Sequence, residues 1–96
     1  QGALSVRQQA AAESIAMEQL ELIKSASYST DPSDYPLVAN EPPYSVDMTV
    51  EFWNGTAFQS TTMSEDMGLQ KITVEVYSAL YAGTPVLILE DYKADR

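Results

Sequence analysis

Apolar and polar positions change their period once along this chain. At 100° per residue, Ala12, Ile15, Ala16, Gln19, Leu20, Leu22, Ile23 and Ala26 fall within an arc of about 160°. Glu13, Glu18, Glu21 and Lys24 share the other side, the division that a half-buried helix shows. Ala, Leu, Met, Glu, Gln and Lys, which dominate this stretch, are all good helix formers. The pattern predicts one helix over residues 3–27.

After residue 43 the period becomes two. Tyr44, Val46, Met48, Val50 and Phe52 alternate with Ser45, Asp47, Thr49 and Glu51, as in a strand with one wet face. Asn54-Gly55 follows at once and predicts a tight hairpin turn, with residues 57–62 returning antiparallel. Residues 64–68 form a second, acidic turn closed by Gly68. Over residues 69–79, Ile72, Val74 and Val76 alternate with Lys71, Thr73, Glu75 and Tyr77, the clearest strand in the chain. Residues 81–85 turn around Gly83, and residues 86–89 run back as a last strand. Its unbroken V-L-I-L fits a strand covered on both faces, or one whose outer face meets another chain.

Between helix and sheet, residues 28–43 carry four of the five prolines and several Ser, Thr and Asp side chains. Such residues compete for backbone hydrogen bonds or remove donors, so an irregular surface connection is expected. Tyr28, Tyr35 and Leu37 are its expected anchors. The whole predicts a single α+β domain over residues 1–96, with the sheet over 44–92. One long helix lies on an antiparallel sheet of three or four strands. Ile15, Leu20, Ile23, Val46, Val50, Phe52, Ile72, Val74 and Val76 are expected to form the core. Gln1-Gly2 has the look of a cleaved-linker remnant and carries no argument.

Charge narrows the range of functions. Fourteen acidic side chains against five basic ones give a net charge of −9, which opposes binding to nucleic acid and to anionic lipid. There is no cysteine and no histidine. Thiolate and imidazole chemistry is therefore excluded, with the zinc sites and nucleophile–histidine pairs built on it. No run of about 18 apolar residues is present to span a bilayer.

Few constellations remain. Asp31 with Asp34, and Ser64-Glu65-Asp66, are the local acid groups, and calcium takes oxygen ligands from such loops. Neither has the spacing of a calcium-binding loop, and solvated loop acids are the plain reading. Glu13, Glu18 and Glu21 lie on the polar side of the helix, with no sign of the cleft a catalytic pair needs. Trp53 beside the first turn is either an exposed contact or folded down on its own hairpin. The expectation is a protein without catalytic residues, metal or cofactor.

One resemblance is specific. The string A-A-E-S-I-A-M-E-Q-L-E-L-I-K-S-A-S-Y-S, residues 11–29, resembles the segment that follows the membrane-embedded part of the N-terminal helix in type IV pilin-like proteins. It is most similar to minor pilins and minor pseudopilins, where A-x-x-I/L-A-x-E-Q-L-E-x-I/L-K/R is followed a few residues on by Tyr. That pattern falls on Ala12, Ile15, Ala16, Glu18, Gln19, Leu20, Glu21, Ile23, Lys24 and Tyr28. L-Q-K-I-T-V-E-V, a turn and V-L-I-L-E-D-Y are similar to the closing hairpin of the same group, and the middle of the chain matches only weakly. The cysteine pair that closes a loop in many major pilins is missing, which favours a minor component.

The resemblance implies a pilin-like fold and an assembly role in a type IV pilus, a type II secretion system or a DNA-uptake machine. The chain would be the soluble part of a protein held in the inner membrane by a preceding apolar segment, before assembly in the envelope or at the cell surface. Partners would be other pilin or pseudopilin subunits, with the fragment monomeric alone. Leu4, Val6, Ala10, Ala11 and Ala12 would form the subunit interface, on a helical stretch that no sheet covers. Its small alanines either admit a neighbouring helix or simply favour helix formation. The alternative is a stand-alone extracellular binding or adhesin-like module. As a check on the chemistry, chelator is expected to leave the thermal midpoint unchanged. A rise of several degrees in millimolar calcium would instead point to Asp31, Asp34, Glu65 and Asp66.

Overall fold

The computed structural model describes residues 5–29, 31, 35–38, 42–59, 67–81 and 83–95. Helix α1 spans Val6–Ser25, shorter than expected at both ends. Ser5 stops it at the front. Its Oγ accepts from the Gln8 N–H at 3.1 Å, and Gln8 Oε1 accepts from the Ser5 N–H at 3.0 Å. This is a reciprocal capping box, which satisfies two otherwise orphaned donors. At the far end Ser25 Oγ donates to the Glu21 carbonyl at 2.8 Å, and Ala26 is already extended.

Four strands follow: β1 Tyr44–Trp53, β2 Phe58–Gln59, β3 Leu69–Ser78 and β4 Pro85–Ala94. They form one antiparallel sheet in the order β2-β1-β3-β4, and α1 packs across β3 and β4. The protein is thus an α+β domain with a single helix on a four-stranded sheet, as the change of period predicts. Two details differ. The first turn is not the two-residue type: residues 54–57 separate the Trp53–Phe58 pair. Asn54 Oδ1 accepts from the N–H groups of Thr56 and Ala57, both at 2.9 Å, and only Gly55 takes a positive φ, +98°. An Asx-type loop replaces the tight turn because the Asn side chain itself supplies the acceptor. The last strand runs to Ala94, not Leu89, because Asp91 and Lys93 continue the alternation and each finds a partner under α1. Of the returning residues 57–62, Phe58 and Gln59 are strand, and 60–66 lie outside the described residues.

The core is Ala12, Ile15, Ala16, Leu20 and Ile23 from the helix against Val50, Phe52, Ile72, Val74 and Val76 from the sheet, with Tyr35 from the connection. Val46, expected among them, is only half-buried near the start of β1. Of the expected anchors, Tyr35 is buried, but Leu37 is 63% exposed. Amides do the anchoring in its place. Gln19 on α1 is fully buried, and its Nε2 donates to the Pro36 carbonyl at 2.8 Å while its Oε1 accepts from the Val38 N–H at 2.9 Å. Gln70 on β3, also fully buried, donates from Nε2 to the Ser29 carbonyl at 2.7 Å and accepts from the Tyr35 hydroxyl at 2.6 Å. That hydroxyl in turn accepts from the Ser29 N–H at 3.1 Å.

Lysines complete the join between helix and last strand. Lys93 is only 7% exposed, and its ammonium donates to the Lys24 and Ala26 carbonyls at 3.1 and 2.7 Å, where the helix ends. Cations are favoured at that pole of a helix. Burial first, and the charge of Lys24 second, push the Lys93 ammonium below its ordinary value. Beside it Lys24 bridges to Asp91 at 3.0 Å. That hydrogen bond, then the Tyr92 N–H, holds the Asp91 carboxyl below the usual carboxylate range.

Contrasting truncations test this packing. Ile23→Ala, at a fully buried site, is expected to cost about 2–5 kcal/mol in urea unfolding. Leu37→Ala should change stability by less than about 0.5 kcal/mol. Equal effects would mean that the connection carries as much of the core as the helix does.

Candidate functional site

With one side of α1 bound to the sheet, the domain keeps two faces open, the back of the helix and the outer face of the sheet. The helix face follows from register along α1. Val6 is 83% exposed and Met17 63% exposed, and Ala10 is exposed between them. At 3.6 residues per turn these three lie within about 40° of one another, opposite the stripe that meets the sheet. They form a narrow apolar line flanked by Glu13, Glu21 and Lys24.

The expected interface residues separate on this geometry. Val6 and Ala10 share the exposed line, whereas Ala11 lies about 100° further round and is half-buried at the edge of the sheet-facing stripe. Ala12 is 1% exposed and belongs to the core, so it has no surface to offer a neighbour. It precedes Ile15 by three residues and Ala16 by four, which places its Cβ on the sheet-facing stripe. Leu4 lies outside the described residues. The sheet also reaches further along the helix than expected. Tyr44 at the start of β1 donates its hydroxyl to the Gln8 carbonyl at 3.4 Å. Val86 and Leu87 of β4 face Gln9 and Glu13 across an open hollow of about 260 Å³. Among the described residues, uncovered helix is therefore confined to Val6, Arg7 and its back. Met17 is legible in the sequence as the residue seven positions beyond Ala10.

The outer face of the sheet carries the side chains of alternate strand positions. Across β1, β3 and β4 they pair in rows: Asp47, Glu75, Ile88; then Thr49, Thr73, Glu90; then Glu51, Lys71, Tyr92. The last row is self-satisfied. Lys71 lies 3.6 Å from Glu51 and 3.9 Å from Glu90, with its ammonium 5.7 Å from the centre of the Phe58 ring. Phe58 packs against Trp53 at 5.1 Å and Tyr92 at 5.7 Å between centroids. Trp53 thus folds down on its own hairpin and is half-buried. The first row is different: Asp47 and Glu75 stand directly opposite each other, with Ile88 beside them 51% exposed.

Tyr77 reports on that row. Its hydroxyl donates to Glu75 Oε1 at 3.2 Å. Partial burial on the sheet, that hydrogen bond, and the charges of Glu75 and Asp47 push the phenol above its ordinary value.

Among the described residues no group of three acids is placed to hold a metal ion. Asp31 is exposed, and Asp34 and residues 64–66 lie outside the described set. Glu13, Glu18 and Glu21 are exposed on the helix surface. No described helix is long and apolar enough to cross a membrane. Compared with protein-family models, with curated proteins and with solved structures, the chain matches none.

The shift at Tyr77 has a readable sign. A phenol raised in the folded state keeps its proton above the unfolded value, near pH 10, so the folded state binds more protons there. The stability that Tyr77 contributes is complete below that pH and is lost as pH rises through the folded value. In an ultraviolet titration of the folded protein Tyr77 should ionise later than an unperturbed tyrosine, and Glu75→Gln should move it earlier. An unchanged curve in that variant would mean that neither the hydrogen bond nor the charge of Glu75 acts on it.

Proposed function

We propose that this protein is an assembly subunit, a minor pilin or pseudopilin of a type IV pilus, a type II secretion system or a DNA-uptake machine. The observation that carries the reading is the two-sidedness of α1. One side is consumed by the domain's own sheet, yet Val6, Ala10 and Met17 keep an apolar line exposed on the other, at a cost in solvent contact that the fold itself does not require. The resemblance over residues 11–29 supports the same reading, and so does the layout of a lone helix on an antiparallel sheet.

In this role the protein makes and breaks no bond. It docks helix against helix, with Ala10 admitting close approach and Val6 and Met17 filling the neighbour's surface. Partners are other pilin-like subunits, met in the envelope where the assembly is built. The domain alone is a monomer, because a net charge of −9 opposes self-association. A second reading, a stand-alone binding module working through its outer sheet face, draws on the exposure of Ile88 and Tyr92, each 51%.

Substitutions in the natural gene product separate the two. Val6→Glu and Ala10→Arg place charge on the exposed line without touching the core, so the thermal midpoint of the isolated domain should move by no more than about 2 °C. Incorporation into the assembled filament or machine should fall at least about tenfold, since charge buried in a helix contact is costly. Incorporation unaffected by both changes would remove the helix contact and leave the binding module.

A further inference from the structure

The first row of the outer sheet face is electrostatically unfavourable in an isolated domain. Asp47 and Glu75 are register partners across β1 and β3, and like charges directly opposite in a sheet are destabilising. Among the described residues little is left to neutralise them. Lys71 on the same face is taken by Glu51 and Glu90. Lys24 is paired with Asp91 on the other side of the sheet, and Lys93 is buried at the helix end. Among the described residues Arg7 remains, and it lies on the exposed first turn of α1.

An apolar neighbour accompanies the charge. Ile88 pairs with Glu75 across β3 and β4 and is 51% exposed. It sits on β4, the open edge of the sheet. Tyr77, two residues from Glu75 on the same face, already turns its hydroxyl to that carboxylate. Two carboxylates without a cation among the described residues, an aromatic ring and an exposed aliphatic side chain therefore share one end of a face that no described element covers.

We propose that this end of the outer face, Asp47, Glu75, Tyr77 and Ile88, is a docking surface for a partner protein that presents an arginine or lysine. The cationic head sits between the two carboxylates, and the aliphatic stem or an adjoining apolar residue covers Ile88. Charge complementarity selects this occupant. A second copy, at −9, and an anionic lipid or nucleic acid each bring the wrong sign. The inference is independent of the helix contact proposed above, since it uses the opposite side of the domain. Both surfaces would be needed by a subunit with unlike neighbours.

The probe is a short peptide alternating arginine and valine, titrated into the isotope-labelled protein at low salt. Two controls are used, one replacing valine by glycine and one replacing arginine by glutamate. Amide shifts are expected to centre on Asp47, Glu75, Tyr77 and Ile88, and to weaken with added salt. Asp47→Asn and Glu75→Gln should each weaken binding about tenfold, and Ile88→Ser should remove the preference for the valine peptide over the glycine one. Each acid variant should also raise the thermal midpoint of the free protein, since a like-charge pair is relieved. Val6→Glu should leave all of this unchanged, which separates a failure here from a failure of the helix reading. The proposal is overturned by equal binding of the arginine–valine and arginine–glycine peptides to the unsubstituted protein, which means general attraction to an acidic domain. Binding of the glutamate peptide, shifts centred on the helix, or a midpoint lowered by Asp47→Asn would overturn it too.

Discussion

Two buried glutamines let so short a chain use an irregular connection as part of its interior. A loop drawn under a helix must leave none of its peptide groups stranded, because a buried polar group without a partner costs about 1–3 kcal/mol. Gln19 offers one N–H donor to the Pro36 carbonyl and one acceptor to the Val38 N–H, as a neighbouring strand would. Gln70 does the same for Ser29 with the help of the Tyr35 hydroxyl. The described residues contain no buried side-chain nitrogen or oxygen without a partner. Loss of either amide would expose more than its own two bonds. The connection would lift, and with it the cover over Tyr35 and the end of α1.

That arrangement settles what remains free. Because the connection and the sheet together saturate one side of the helix, its back is surplus to folding. Because α1 lies on one face, the other face of the sheet is left without cover among the described residues. Lysine placement reinforces the division: Lys24 and Lys93 tie helix to β4, and Lys71 closes an aromatic and acidic cluster around Phe58. The lysines serve the fold, and most of the acids are left to the surface.

Much of this architecture was legible in the residues. The switch from a period of 3.6 to a period of two located α1, β1 and β3, and eight of the nine expected core residues are buried, with Val46 half-buried. Polar residues in apolar positions were harder to read. Gln70 is in phase with Ile72, Val74 and Val76, and Lys93 with Leu87 and Leu89, but a charged or amide side chain looks like a strand's wet side until its partners are known. The helix start was announced by Ser5-Val-Arg-Gln8, a capping box that the apolar arc obscured. Of the candidate interface residues, Val6 and Ala10 do lie exposed on the helix. Ala12 does not, because small residues look the same in sequence whether they admit a neighbour's helix or their own sheet.

The thinness of the domain has a consequence for how its two open faces communicate. With helix and sheet as its two layers and a shortest Cα extent of 18 Å, the domain lets partners on opposite faces sit close without touching. Each can be seated or removed without displacing the other, so occupancy of the two faces is sterically independent.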